Sequence, residues 1–419
     1  MKEHIFDTSE ITLVNGIKLI TIKRDTQISS VHVGVNIGAL YEREEERGIA
    51  HFIEHMLFKG TKNRDNETLN NELENLGGEY NAYTDYNCTV FSSTTLSEEV
   101  ENSIKLLADL VSNSIFPKEQ IEKERGVIVA EIKSVKDDLE ELSFEEVNKA
   151  AFTNSPLKCD VIGKEKYIRK MTREALVTFY NTYYVPNNCY ITIVSNHEHE
   201  YIKSLIEKYF GHWKEKKIVK PPVSLEKNLH KTKISYKKDI EQSTIVYLYS
   251  FNDLTAEEEL ALRVLNHKLG ESSNSILFRE LREERGLAYD IYTMLDLSDK
   301  IKTLYIYTSV SEEYVKEAID TIDNCICDIA EERVVFDDST INLMKKVFKT
   351  AVASTVEDST DLGNYVLHQA MEEEYIYQFV EDMKNMDRIR KEDLYNVARK
   401  VLQKPTIHIL LPEKSESDE

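Results

Sequence analysis

Glycine and proline are scarce, 13 and 7 in 419 residues, which excludes a collagen-like or low-complexity chain. Cysteine is rare and odd in number: Cys88, Cys159, Cys189, Cys325 and Cys327. Their spacing matches neither a zinc knuckle nor a C-x-x-C redox pair, so reduced thiols in a cytoplasmic protein are expected. No apolar run approaches the roughly 18 residues of a membrane span. The start, from Met1 to Thr8, has no basic region leading into an apolar stretch and no Arg-rich amphipathic segment. Basic residues are the minority, 53 Lys+Arg against 75 Asp+Glu, giving a net charge of −22 and a pI near 5.1. That argues against nucleic acid and anionic membranes, which are bound by clustered Lys and Arg. It is compatible with a cationic partner or substrate.

What is present is enough apolar residue, 41%, to bury a core without disulfides. At about 100–200 residues per domain, the length predicts two to four domains. Strand patterns open the chain: 11–18 leads through Asn15-Gly16, a hairpin dipeptide, into 19–23. Residues 30–38 alternate Val31, Val33, Val35 and Ile37 on one face. Helices are predicted over 48–59, 67–76, 98–112 and 118–136, the last after Pro117, with strands over 79–83 and 87–94.

The chain also repeats itself. The stretch from Phe116 matches the pattern from Phe336, and 99–111 has the amphipathic layout of 313–326. The segment from Phe179 to the strand at Cys189 parallels that from Leu394 to the strand at Thr406. Two similar αβ halves follow, each with strands, helices and a closing strand, an α+β class. The predicted domains are 1–213 and 229–419, joined by a polar linker over 214–228.

The sharpest local pattern is His51-Phe-Ile-Glu54-His55 in the first half. Residues four apart on a helix lie about 40° apart around its axis, so both imidazoles share a face and can grip one metal ion. Glu54 sits on a similar side, within reach of a metal-bound water. Zinc would supply a water acidified towards neutral pH and a Lewis acid for a carbonyl. The bland alternative is a pair of surface histidines on an acidic helix, but Phe52, Ile53, Met56 and Leu57 give that helix a buried side. A third ligand is needed. The helix over 118–136 offers Glu119, Glu122, Glu124 and Glu131, and spacing alone marks none of them.

H-x-x-E-H is the inverzincin order. With its surroundings, from Gly48 to Thr61, it resembles the pitrilysin/insulinase superfamily of zinc peptidases, in the two-domain branch similar to the mitochondrial processing peptidases. Gly77-Gly78, Asn81-Ala82-Tyr83-Thr84 and the segment from Glu124 to Glu131 extend the likeness. Leu281-Arg282 through Tyr289 carries it into the second half, so it covers 13–411. The resemblance implies Glu131, 76 residues after His55, as third zinc ligand, and Glu124 as an acid behind the ligands. It implies Arg282 and Tyr289 as a pair that assists a zinc site across a chamber, and Asn81 and Ala82 as the edge where a peptide is held as an added strand. Two segments depart from the family pattern. Between Leu269 and Leu277 only Gly270 remains of a Gly-rich stretch, and Pro156 to Gly163 lacks the usual Gly-x-Pro.

The expected function is a zinc endopeptidase, one zinc per chain, cutting short unstructured peptides inside a chamber closed by a dimer. A heterodimeric peptide- or leader-processing protease with this chain as catalytic subunit is the first alternative, and a non-catalytic scaffold of the same fold the second. Acidic runs over 42–46 and 137–146 would favour cationic peptides if they line that chamber; the bland reading is solvated helix faces. The acidic tail 413–419 is predicted to be disordered.

Overall fold

The computed structural model describes residues 6–413, so the tail prediction falls, beyond Glu413, outside the described residues. The first sheet holds β1 (Asp7–Thr12), β2 (Lys18–Lys23), β3 (Ile28–Val35), β4 (Glu79–Thr84), β5 (Thr89–Leu96) and β6 (Cys189–Ser195). Their spatial order is β1-β2-β6-β3-β5-β4, antiparallel throughout except for β2 beside β6. The second sheet holds β7 (Lys231–Lys237), β8 (Ser243–Ser250), β9 (Ala288–Asp296), β10 (Thr303–Val310) and β11 (Thr406–Pro412). Its order is β7-β11-β8-β10-β9, and its parallel pair is β7 beside β11. Without β1 the two sheets have the same topology, with the parallel pair in the same place. The repeat read from sequence is therefore a repeat of fold, and the class is α+β.

Helices repeat with the strands. The first half carries α1 (Ile49–Leu57), α2 (Asn66–Glu74), α3 (Val100–Asn113), α4 (Lys118–Asp137) and α5 (Leu139–Ala151). The 20 residues of α4 recur as the 20-residue helix Asp338–Glu357, and the 13 of α5 as the 13-residue helix Ser359–Met371. The N-caps recur too. Asp138 accepts from the Glu140 and Glu141 N–H groups, and Asp358 from those of Thr360 and Asp361, satisfying donors that a helix start leaves open.

The compact units differ from the contiguous domains expected from sequence. One comprises 1–134, 159–223 and 353–378; the other comprises 135–158, 224–352 and the chain from 379. The cause is an exchange of equivalent helices. In the second unit α5 packs on β8 and β11, and in the first unit Ser359–Met371 packs on β3 and β6. Neither helix nor strand occurs over 213–230.

Within the first unit this exchange explains a strand that sequence alternation describes only by half. Val31, Val33 and Val35 on β3 are buried, but so are Ser30 and His32 on the alternate positions. Helix Ser359–Met371 covers that second face. Its Gly363 lies so close that a β-carbon there would stand 2.7 Å from His32 Cδ2. Leu362, Val366, Leu367 and Met371 supply the apolar stripe of the helix. Within the second unit, Phe144 of α5 stacks near Tyr305 and Tyr307, and Asn148 accepts from the Tyr305 hydroxyl at 2.8 Å. Among the described residues, no helix is long and apolar enough to cross a membrane.

Candidate metal centre

The helix α1 forms because Ile49, Ala50, Phe52, Ile53, Met56 and Leu57 bury its apolar side. His51, Glu54 and His55 occupy the other side, half-buried. Its start is fixed from outside. Glu42 accepts from Gly48 N–H through Oε2 and from Ala50 N–H through Oε1, each at 2.9 Å. Gly48 turns the chain into the helix at φ 92°, a conformation that favours glycine. Burial pushes the Glu42 carboxyl up to about 7 against the pull of those two N–H groups. The acidic runs therefore carry internal duties. Glu42 is buried, Asp138 caps α5, and Glu146 pairs with Lys149 and Lys233.

One turn apart on α1, the His51 and His55 rings meet edge to face with centroids 4.6 Å apart. Glu131 reaches them from α4, its Oε2 standing 3.7 Å from His55 Nε2. One ligand atom from each of His51, His55 and Glu131 falls within 4.8 Å of the others, and among the described residues this is the one such cluster. Two nitrogens and a carboxylate oxygen are a donor set that suits zinc and leaves a coordination position open. His51 Nδ1 and Glu131 Oε2 are moreover buried without a hydrogen-bond partner, a state that native interiors avoid unless something else satisfies the group. Burial, then the neighbouring His55, push His51 down to about 4, so at neutral pH it is the uncharged imidazole that can ligate.

Glu124, one of the four candidates on α4, stands behind the cluster. Its Oε2 lies 3.0 Å from His55 Nδ1, and its Oε1 lies 2.9 Å from Lys59 Nζ. Donation from Nδ1–H to Glu124 leaves the His55 Nε2 lone pair facing Glu131. Glu119 and Glu122 have no place in the cluster. Glu122 pairs with Arg125 instead.

Glu54 faces β4. Its Oε2 accepts from the Thr84 hydroxyl at 2.6 Å. Burial raises the Glu54 pKa, the Thr84 bond and His55 lower it, and Glu131 raises it. The strand β4 is the last of its sheet, so among the described residues one of its edges has no neighbouring strand. Asn81 and Ala82 lie on it, and the Ala82 N–H is held by the Asn81 side chain at 2.9 Å. Tyr83 points its hydroxyl to Asn364 and His368, at 2.7 Å each.

Arg282 and Tyr289 belong to the second compact unit and are exposed. Arg282 lies in the helical turn Arg279–Glu284 with its guanidinium 5.2 Å from the Phe278 ring centre, and Tyr289 is near the start of β9. Sequence reasoning missed Lys59, Thr84 and Glu42. Helical spacing gave a signal for Lys59, four residues after His55. Period-two alternation gave one for Thr84, two residues after Ala82. Nothing local marks Glu42 as the cap of α1.

The family model described as "Insulinase (Peptidase family M16)" matches residues 18–165, and that described as "Peptidase M16 inactive domain" matches 170–347. A Rickettsia bellii protein named as an uncharacterized zinc protease is 32% identical over 316 residues, 74% of each chain. The mitochondrial-processing peptidase subunit beta of Caenorhabditis elegans is 26% identical over 383 residues, 86% of this chain and 81% of that one. In fold, the crystal structure of a protease from Helicobacter pylori superposes with a TM-score of 0.91 at 20% identity, covering 97% of this chain and 100% of that one.

Proposed function

This chain belongs to the insulinase family of peptidases, peptidase family M16, and from that premise we propose that it is a zinc-dependent endopeptidase acting on short, unstructured peptides. The observation that carries the reading is the convergence of His51, His55 and Glu131 beside the carboxylate of Glu54. His51, His55 and Glu131 would hold one zinc per chain. Bound there, zinc lowers the pKa of a water towards neutrality and polarises a carbonyl.

Glu54 is the base. Its carboxylate takes the proton of the attacking water and then returns it to the departing amine. Glu124 holds the His55 ring by Nδ1, leaving Nε2 turned towards Glu131, where it would serve as a zinc ligand. Asn81 and Ala82, on the open edge of β4, receive the peptide backbone as an added strand, a mode tolerant of many sequences. Arg282 and Tyr289 act on the site of a partner chain, as donors to the charge that develops on the carbonyl oxygen. Since one chain carries both sets, a cytoplasmic homodimer is self-sufficient, and its net charge of −22 favours cationic peptides.

One observation favours a second reading: the Caenorhabditis elegans relative is named a subunit. In that reading this chain is the catalytic member of a heterodimer with a related subunit. A metal-free scaffold role is disfavoured by the complete donor set. The test is Glu54→Gln. Zinc should stay bound at one per chain while peptide cleavage falls at least about 100-fold, the scale of a lost acid–base group. Cleavage that survives rejects the mechanism, and zinc far below one per chain in the unaltered protein favours the scaffold.

A further inference from the structure

The Glu54 carboxylate is held at one oxygen only. Oε2 accepts from Thr84 Oγ1 at 2.6 Å, a short contact of the kind a charged acceptor makes. Among the described residues, Oε1 has no hydrogen-bond partner. A glutamate side chain has three rotatable bonds, and α1 fixes only the first atom of them. What fixes the far end is therefore Thr84, and Thr84 is itself well fastened. Thr84 pairs with Thr89 across the ladder to β5. The turn beyond it is closed by Asp85 N–H to Cys88 O at 2.8 Å, and Asp85 O accepts from Ala39 N–H at 3.1 Å. Its neighbour Tyr83 is tied on the opposite side of the strand to Asn364 and His368. The donor thus stands on a fastened strand, separate from the helix that carries Glu54, His51 and His55.

We propose that Thr84 is the positioning residue for the general base: it anchors Glu54 Oε2 and so leaves Oε1 as the single oxygen presented to the attacking water. The proposal rests on the reading of Glu54 as the base, and goes beyond it by naming what aims that base. It also explains why β4 is doubly important. The strand that would take the peptide backbone at Asn81 and Ala82 also carries, two residues on, the hydroxyl that sets the base. A base misplaced by about 1 Å loses on the order of 100-fold in rate.

The test uses full-length, zinc-loaded protein with Thr84→Val, which keeps the branched shape and removes the donor, beside Thr84→Ser, which keeps the donor. Thr84→Val should lower kcat by about 10- to 100-fold with KM within about twofold and zinc affinity unchanged. Thr84→Ser should stay within about threefold of the unaltered enzyme. A crystal structure of Thr84→Val should show the Glu54 carboxylate in more than one rotamer, a readout independent of turnover. Combined with Glu54→Gln, Thr84→Val should add no further loss. The proposal is overturned if Thr84→Val keeps kcat within about threefold, if Thr84→Ser is as impaired as Thr84→Val, if zinc is lost with the hydroxyl, or if Glu54 keeps one rotamer. Should Glu54→Gln retain activity, it is the base itself that fails; normal turnover by Thr84→Val beside an inactive Glu54→Gln defeats the Thr84 role alone.

Discussion

Glu124 stands between His55 and Lys59, one carboxylate oxygen 3.0 Å from His55 Nδ1 and the other 2.9 Å from Lys59 Nζ. The group is largely buried, with the Glu124 side chain 9% exposed. A carboxylate in that position fixes the imidazole tautomer and raises its basicity as a ligand. Lys59 balances the charge and keeps the carboxylate from rotating. Glu124→Gln and Lys59→Met should each weaken zinc binding about 10- to 100-fold, the usual cost of losing a partner behind a ligand. Competition with a chelator measures this directly. Unchanged affinity in both variants would deny the pair its role.

Much of that centre is legible in the sequence. The four-residue spacing of His51 and His55 put them on one helix face, and the apolar residues between them put that helix against a core. Glu131 was reached through family likeness, because an acidic chain offers many carboxylates on helices. Spacing places Lys59 one turn beyond His55 and Thr84 on the face of Ala82, but it does not disclose their roles, because their partners lie across tertiary contacts, Thr84 with Glu54 and Lys59 with Glu124. The fold shows the same limit. Repeated patterns disclosed two copies of one topology. An amphipathic stripe says that a helix must be buried, however, and not which sheet will bury it. The stripes of α5 and Ser359–Met371 are therefore silent about their exchange.

That exchange predicts how the chain responds to cutting. A fragment ending at residue 213 keeps every strand of the first sheet but loses helix Ser359–Met371. The buried face formed by His32, Gly34, Val90 and Tyr190 would then meet water, an apolar exposure that favours aggregation. The fragment should be poorly soluble or bind a hydrophobic dye strongly, whereas the intact chain should not. A gentler probe is Gly363→Ala. Its added methyl must displace the His32 ring, an overpacking worth about 1–3 kcal/mol of stability. A melting temperature equal to that of the parent would mean the helix does not sit tightly on β3.

His32 and His408 also give stability a pH dependence. Each is buried on an interior strand of its sheet, bonded through Nε2 to a serine, with Nδ1 buried and unpartnered. Burial pushes both down to about 4 from an ordinary value of 6.5. Below pH 6.5 the unfolded chain takes up a proton at each imidazole, while the folded chain does so only near pH 4. Their contribution is therefore fully present above 6.5 and is lost as pH falls through that window, at up to roughly 1.4 kcal/mol per pH unit for each histidine. Denaturant titrations at pH 7, 6, 5 and 4 read the slope. Asn or Gln in place of His32 lowers stability at every pH by disturbing the packing, but should flatten the decline by one proton's worth. A slope identical to that of the parent would show that His32 takes up its proton at the same pH in the folded and unfolded chains, contrary to the effect of burial under Gly363.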